Sequence, residues 1–444
     1  MYFDKEHSVV SEIQRITLRL RVRDESLWKA TLLGFFVLAS LLQGEAFSQN
    51  IPELPKPTGP FGIGRIVLDW TDPSRSESMS GRVGEHRALL VYLFYPIDKT
   101  TDGRRAAYFP HQKETEAFEE QFGKNFFQRS YGDSYQTLSI MRTHTIENAN
   151  LASVNNKYPI LIFSHGGGIR VLFYSAIIED LVSHGYVVAA VEHTYDGGTV
   201  VFPDGHIITQ SGWDQDSKRT PEEMAAFHIA RYKVGAEDNS FVLTQLEKLN
   251  SGGLPDMRKQ FKGRLDTARV GALGHSLGGM ISVTTCHYDK RFKTCINLDG
   301  GLDSGATYGL LTQPIVAMYG DRRVLQRVDE TPEAFARRKA SNERFDARRK
   351  SAYVGANSST YFVLVDSPGF SHFSYYDLPD SQAEVPPWRT TPEQWARNKE
   401  IIRAFTLATF NSYLRSKASN PFSALLHAYP EVNVELIGGS KRGH

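Results

Sequence analysis

The residues best suited to do chemistry are Gly274-His275-Ser276-Leu277-Gly278, followed by Gly279. A G-x-S-x-G set between a strand and a helix holds a serine on a sharp, strained turn. Side chains at the flanking glycines would clash there. The apolar run 268–273 reads as the strand, and 280–285 begins a helical pattern. A serine hydroxyl is a weak nucleophile, so it needs a base, and the base needs an orienting carboxylate. Four histidines follow Ser276: His287, His372, His427 and His444. His372 lies in Ser367-Pro-Gly-Phe-Ser-His372-Phe, a turn-rich loop beyond the last apolar strand, and is the candidate base. His287 follows the nucleophile's helix and reads as surface polarity, while His427 and His444 belong to the tail. Two acids compete, Asp299 after Cys295-Ile-Asn-Leu and Asp321 after Val316-Ala-Met-Tyr-Gly. Both end strands, and spacing does not choose between them. Phe163-Ser-His-Gly166-Gly167-Gly168 could bring backbone N–H groups to a tetrahedral oxyanion, with the Leu277 N–H as the second donor. This set of residues points to acyl transfer through a covalent intermediate.

No His, Cys, Asp or Glu cluster has zinc-type spacing, and no metal or organic cofactor is implied. His193 and Asp196 read as polar loop surface.

The elements that must position these groups alternate in type. Residues 87–96, 158–164, 186–191, 268–273, 294–298, 314–319 and 360–365 are short apolar runs. The run 158–164 is continuously apolar, as expected of a strand buried on both faces. Helical patterns fall near 114–127, 172–184, 221–249 and 392–414, with Val242, Leu246 and Leu249 as core. Strands alternating with helices predict an α/β fold with a mostly parallel central sheet flanked by helices on both faces. The charged stretch 322–350, with Arg337, Arg338, Lys339, Arg348, Arg349 and Lys350, reads as a solvated helix.

The 444 residues carry 51 Lys+Arg against 50 Asp+Glu, so the basic excess of a nucleic-acid binder is missing. Residues 30–42 form a 13-residue uncharged run behind Arg15, Arg19, Arg21, Arg23 and Lys29, with Ala46-Phe47-Ser48 downstream. The pattern predicts a signal peptide over 1–48 and an exported protein, secreted or periplasmic. An uncleaved anchor through 30–42, which would give membrane contact, is the other reading. A single domain then occupies 49–444. In an oxidising compartment Cys286 and Cys295 could form one short-loop bridge or remain two buried thiols.

Several segments carry a family resemblance: Pro57-Thr-Gly-Pro-Phe-Gly-Ile-Gly64, Leu93-Phe-Tyr-Pro96, Lys157-Tyr-Pro-Ile-Leu-Ile-Phe-Ser-His-Gly-Gly-Gly168, Phe173-Tyr-Ser-Ala176, Ser183-His-Gly-Tyr186, Val191-Glu-His193, Gly274-His-Ser-Leu-Gly-Gly279, Leu298-Asp299 and the His372 loop. Over 57–414 the chain resembles the platelet-activating factor acetylhydrolases of the plasma and intracellular type II kind. The resemblance implies an α/β-hydrolase fold and a serine esterase acting on a small ester or short-chain phospholipid. It places the acid on the strand after the elbow, which is Asp299 rather than Asp321. It carries the oxyanion donors over to Gly167 and Leu277, and it makes 322–350 an insertion. A broad carboxylesterase or polyester hydrolase could use the same site. A non-catalytic binding protein on this scaffold would be expected to have lost triad members, whereas all are retained here. Oligomeric state is not legible.

Overall fold

The computed structural model describes residues 53–122, 138, 141–154, 157–211, 219–253, 256–301, 311–320, 330–351, 353, 359–377, 391–416 and 420–437. The signal peptide expected over 1–48, the apolar run 30–42, Asp321 and His444 lie outside the described residues.

Among the described residues thirteen strands are formed: β1 Gly62–Ser76, β2 His86–Ile97, β3 Arg105–Ala107, β4 Arg142–Glu147, β5 Tyr158–Ser164, β6 Val187–Glu192, β7 Val200–Val201, β8 Ile207–Ile208, β9 Leu265–His275, β10 Phe292–Leu298, β11 Ile315–Gly320, β12 Thr360–Val365 and β13 Val432–Ile437. The α-helices are α1 Gln112–Phe122, α2 Ser175–Ser183, α3 Pro221–Ser251, α4 Leu277–Tyr288, α5 Pro332–Ser351 and α6 Pro392–Phe410. Eleven strands make one sheet in the order β13-β12-β11-β10-β9-β5-β6-β2-β1-β4-β3. The six central strands from β12 to β6 are parallel, while β13, β2, β1 and β3 each pair antiparallel with a neighbour.

Alternation along the parallel strands divides the core in two. Leu161, Phe163, Leu273, Ile296 and Met318 face α2 and α6, where they meet Ile177, Ile178, Ile402 and Phe405. Ile160, Ile162, Val270, Ala272 and Ala317 face α3 and α4, against Val242, Leu246, Met280 and Ile281. Both faces of the central strands are therefore covered, and this is why they read as unbroken apolar runs. Helix α3 begins as its sequence predicts. Thr220 caps it with a reciprocal Glu223 bond, and Pro221 occupies the first turn.

Cys286 on α4 and Cys295 on β10 form a disulfide with Cα atoms 6.3 Å apart. No described helix is long and apolar enough to cross a membrane. The expectation of a fully solvated charged stretch needs correction. Helix α5 does expose Arg337, Lys339, Arg344 and Arg348, but its Arg349 is only 3% exposed and turns into the fold.

Candidate active site

The parallel strands β5, β9, β10, β11 and β12 end on one edge of the sheet. In open α/β sheets this edge is where ligands bind. Ser276 sits between β9 and α4 with φ 56° and ψ −119°, a conformation that L-residues rarely adopt. Such strain costs on the order of 1–3 kcal/mol and persists only where the surroundings enforce it. Here they do. A Cβ on Gly274 would lie 2.3 Å from the Gly278 carbonyl oxygen, and one on Gly278 would lie 2.1 Å from that of Ser164. The two flanking glycines let the turn close against the end of β5. The Ser276 N–H donates to Leu298 O at 2.9 Å, tying the turn to β10.

Asp299 follows β10, also at positive φ (51°), and its N–H donates to Met318 O at 2.9 Å. His372 opens a 3-10 turn, His372–Tyr375, beyond β12. Its Nδ1 is 2.7 Å from Asp299 Oδ2. The imidazole is 38% exposed and the carboxylate 6%, so the carboxylate is shielded and the imidazole remains reachable. The structure thus brings Asp299 and His372 together from positions 73 apart in sequence. His427 is exposed, and His287 ends α4, about 15 Å from the elbow at 1.5 Å per residue.

The 3-10 turn is held from below. Lys399 of α6 donates to Ser374 O at 2.6 Å and to Tyr376 O. Asp377 accepts from the Ala176 N–H at 2.9 Å and from the Tyr108 hydroxyl at 3.1 Å. Burial pushes the Lys399 ammonium down and the Asp377 carboxyl up, because neither charge is well solvated.

Gly166 and Gly167 lie opposite the elbow. A Cβ on Gly166 would meet that of Ser276 at 3.4 Å, so the loop and Ser276 are in contact distance. The Gly166 N–H donates to the Tyr174 hydroxyl at 3.0 Å, and that hydroxyl lies 2.9 Å from His275 Nδ1. Gly168 N–H donates to Asp196 O at 2.8 Å. The loop is thereby pinned on both sides of Gly167. Leu277 is the first residue of α4, so its N–H has no intrahelical acceptor, and the helix dipole adds positive potential there. Burial and the neighbouring His372 hold the His275 imidazole well below its usual range, so it stays neutral beneath the site.

Two residues complete this site in roles that the sequence does not reveal. One is Tyr174, which joins His275 to the glycine loop. The other is Arg349, whose Nη2 is 3.2 Å from Asp299 Oδ1.

His193 and Asp196 are not surface residues, since both are fully buried. Asp196 pairs with Arg231 at 2.5 Å. His193 Nδ1 is 2.9 Å from Asp238 Oδ2, and its Nε2 is 3.0 Å from Ser164 Oγ. Arg87 clamps Asp238 from the other side at 2.7 and 3.1 Å. Ser164, His193 and Asp238 thus form a second Ser-His-Asp chain, sealed at zero exposure. No ester could reach it, so its work is to brace β5 where the glycine loop begins. Ser164→Ala should keep turnover within about tenfold of wild type while losing about 1–3 kcal/mol of stability, because His193 Nε2 is left without its partner. Chemical denaturation alongside fluorophosphonate labelling checks this. Lost labelling in a well-folded Ser164→Ala protein would refute it.

A cleft of about 600 Å³ lined by Asp72, Arg75, Lys233, Phe241 and Arg291 shares no residue with this site. Its Arg75 and Arg291 are already engaged by carboxylates.

The model of the family "platelet-activating factor acetylhydrolase, isoform II" matches residues 46–304. The chain belongs to that family. A probable 1-alkyl-2-acetylglycerophosphocholine esterase of Arthroderma benhamiae is 29% identical over 268 residues, 59% of this chain and 63% of that one. A platelet-activating factor acetylhydrolase of Cavia porcellus is 28% identical over 256 residues, 55% of each chain. One from Canis lupus familiaris is 27% identical over 321 residues, 67% of this chain and 65% of its own. The chain therefore spans somewhat over half the length of these curated relatives. Among solved structures, a ferulic acid esterase from Streptomyces cinnamoneus superposes with a TM-score of 0.60 at 27% identity, covering 86% of this chain and 98% of that one.

Proposed function

We propose that this protein is a serine esterase that hydrolyses short-acyl carboxylic esters, with Ser276 as nucleophile, His372 as general base and Asp299 as the orienting acid. The observation that carries the reading is the 2.7 Å contact of His372 Nδ1 with Asp299 Oδ2, beside a serine held at φ 56°. His372 takes the Ser276 proton and Ser276 attacks the ester carbonyl. Asp299 stabilises the imidazolium, and the Gly167 and Leu277 N–H groups receive the oxyanion. His372 then protonates the leaving alcohol, and water releases the acyl group by the same route. Family membership supports acetyl-sized acyl groups, and a short-chain phospholipid is the substrate class that follows. The leader and the Cys286–Cys295 disulfide support export to an oxidising compartment.

The rings around the base support a short acyl pocket. Tyr375 is core, 1% exposed, with its hydroxyl donating to Met318 O at 3.0 Å. Phe370 packs over Gly320. Phe373 is 44% exposed, with its ring 5.7 Å from that of His372. Tyr376 bridges Phe373 and Tyr174 at 5.9 and 5.4 Å. Phe373 and Tyr376 are therefore the wall that an acyl chain would meet. Each methylene that fits gains about 0.8 kcal/mol, and one that clashes loses that gain and adds strain. The expected kcat/KM on p-nitrophenyl acetate, butyrate, octanoate and palmitate peaks at the short end and then falls steeply. A rate climbing through palmitate would overturn the short-acyl reading. The likeness to the ferulic acid esterase supports a second reading, a broader esterase that takes aryl acyl groups. Methyl ferulate turned over faster than the acetyl ester would favour it.

A further inference from the structure

We infer that Arg349 is a positioning residue for the acid–base pair: it fixes the Asp299 carboxylate against His372 and offsets its charge. This role rests on the triad proposed above.

Asp299 divides its two oxygens between two partners. Oδ2 faces His372 Nδ1 at 2.7 Å, and Oδ1 faces Arg349 Nη2 at 3.2 Å. The guanidinium is 3% exposed and is stacked between two rings, with its central carbon 4.0 Å from the Tyr319 ring centre and 4.2 Å from that of Phe345. Among the described residues its Nε and Nη1 have no hydrogen-bond acceptor, and the Asp346 carboxylate stands 3.9 Å from Nη1. A cation buried with so few acceptors is expensive unless a nearby anion compensates it. Asp299 is the anion that its hydrogen bond reaches. A flat guanidinium slotted between aromatic faces cannot swing, so the carboxylate it grips cannot rotate away from the imidazole.

The second consequence is electrostatic. The carboxylate alone favours the imidazolium. Arg349 sets a positive charge on the far oxygen of that carboxylate and so opposes the effect. Other groups facing this pair are His275, with its ring 4.4 Å from that of His372, and Tyr375 and Tyr376, whose rings lie 4.9 and 5.2 Å from that of His275. Below them lies Lys399 of α6. All four are unchanged in an Arg349 variant, so they displace the wild-type and variant profiles equally.

The test is the pH dependence of kcat/KM on p-nitrophenyl acetate for wild type, Arg349→Met and Arg349→Lys, with melting temperature and fluorophosphonate labelling as folding checks. Arg349→Met should move the acid limb about 0.5–1 pH unit upward and lower kcat at neutral pH about 10- to 100-fold, with KM little changed. Arg349→Lys keeps the charge and should leave the limb near its wild-type position while lowering kcat. Should Arg349→Met not fold, the Lys variant still tests geometry, because full wild-type kcat there would refute the clamp. An unmoved limb in folded Arg349→Met would overturn the electrostatic role. If Asp299→Asn were to keep near-wild-type turnover, the triad itself would fall, and that result is distinct from either outcome at Arg349.

Discussion

Ser276→Ala is expected to lower kcat/KM on p-nitrophenyl acetate by about 10,000-fold or more and to abolish fluorophosphonate labelling, with the melting temperature nearly unchanged. Both halves follow from the elbow. The proposed nucleophile is a single hydroxyl at the rim of the sheet, and the turn that bears it is imposed by Gly274, Gly278 and the Ser276–Leu298 backbone bond rather than by the hydroxyl. Removing the oxygen therefore deletes the nucleophile and leaves the packing alone. Triad members act as a unit, so the loss should approach that of removing the whole set. What remains over the uncatalysed rate would come from the oxyanion donors and from substrate binding. A variant that kept more than about a tenth of wild-type rate would disprove the nucleophile assignment. The buried Ser164 sharpens the contrast, because it heads a similar Ser-His-Asp chain through His193 and Asp238 but has no access. Labelling of the Ser276→Ala protein at Ser164 would show that the β5 end opens to solvent.

The elbow is legible in the sequence because its physics is local. Strand, two glycines and helix lie within about twenty residues, and each constrains its neighbour. The buried strands β5 and β12 are equally legible, since burial on both faces leaves an unbroken apolar run. Strand β1 is hidden for the opposite reason. Its second half, Asp69-Trp-Thr-Asp-Pro-Ser-Arg-Ser76, mixes polar with apolar residues over a surface that is only partly covered. The acid is chosen by likeness to a family, not by chemistry read from the chain, because Asp299 and Asp321 end consecutive strands in the same way. Arg349 is invisible for a further reason. A run of arginines on a helix has the same composition whether every cation is solvated or one is turned inward. Only the packing of α5 against Tyr319 decides which arginine is buried. His193 misleads likewise, as its loop context gives no sign of Asp238, 45 positions away, or of Arg87 beneath.

Asp299→Asn is expected to lower kcat about 1,000- to 10,000-fold, while Asp321→Asn should cost far less. The asparagine is nearly isosteric, so the effect turns on which end of the amide faces which partner. Arg349 Nη2 can only donate, so it requires an oxygen at the position of Oδ1. Orienting the amide to satisfy it places the NH2 group against His372 Nδ1. That nitrogen must then accept, and the ring proton moves to Nε2. An imidazole protonated at Nε2 cannot take the proton from Ser276, so the base is present in the wrong tautomer. The reverse orientation sets the amide NH2 against a buried guanidinium, two donors facing each other with no acceptor, which is costlier still. Either orientation also leaves the Arg349 charge without its anion, so the melting temperature should fall as well. Assays should therefore be run well below the transition of the variant. The measurement is kcat across pH for both variants, with fluorophosphonate labelling rates as a second readout of nucleophile activation. A larger loss in Asp321→Asn than in Asp299→Asn would move the acid to the end of β11 and reduce the Asp299–His372 contact to a structural one.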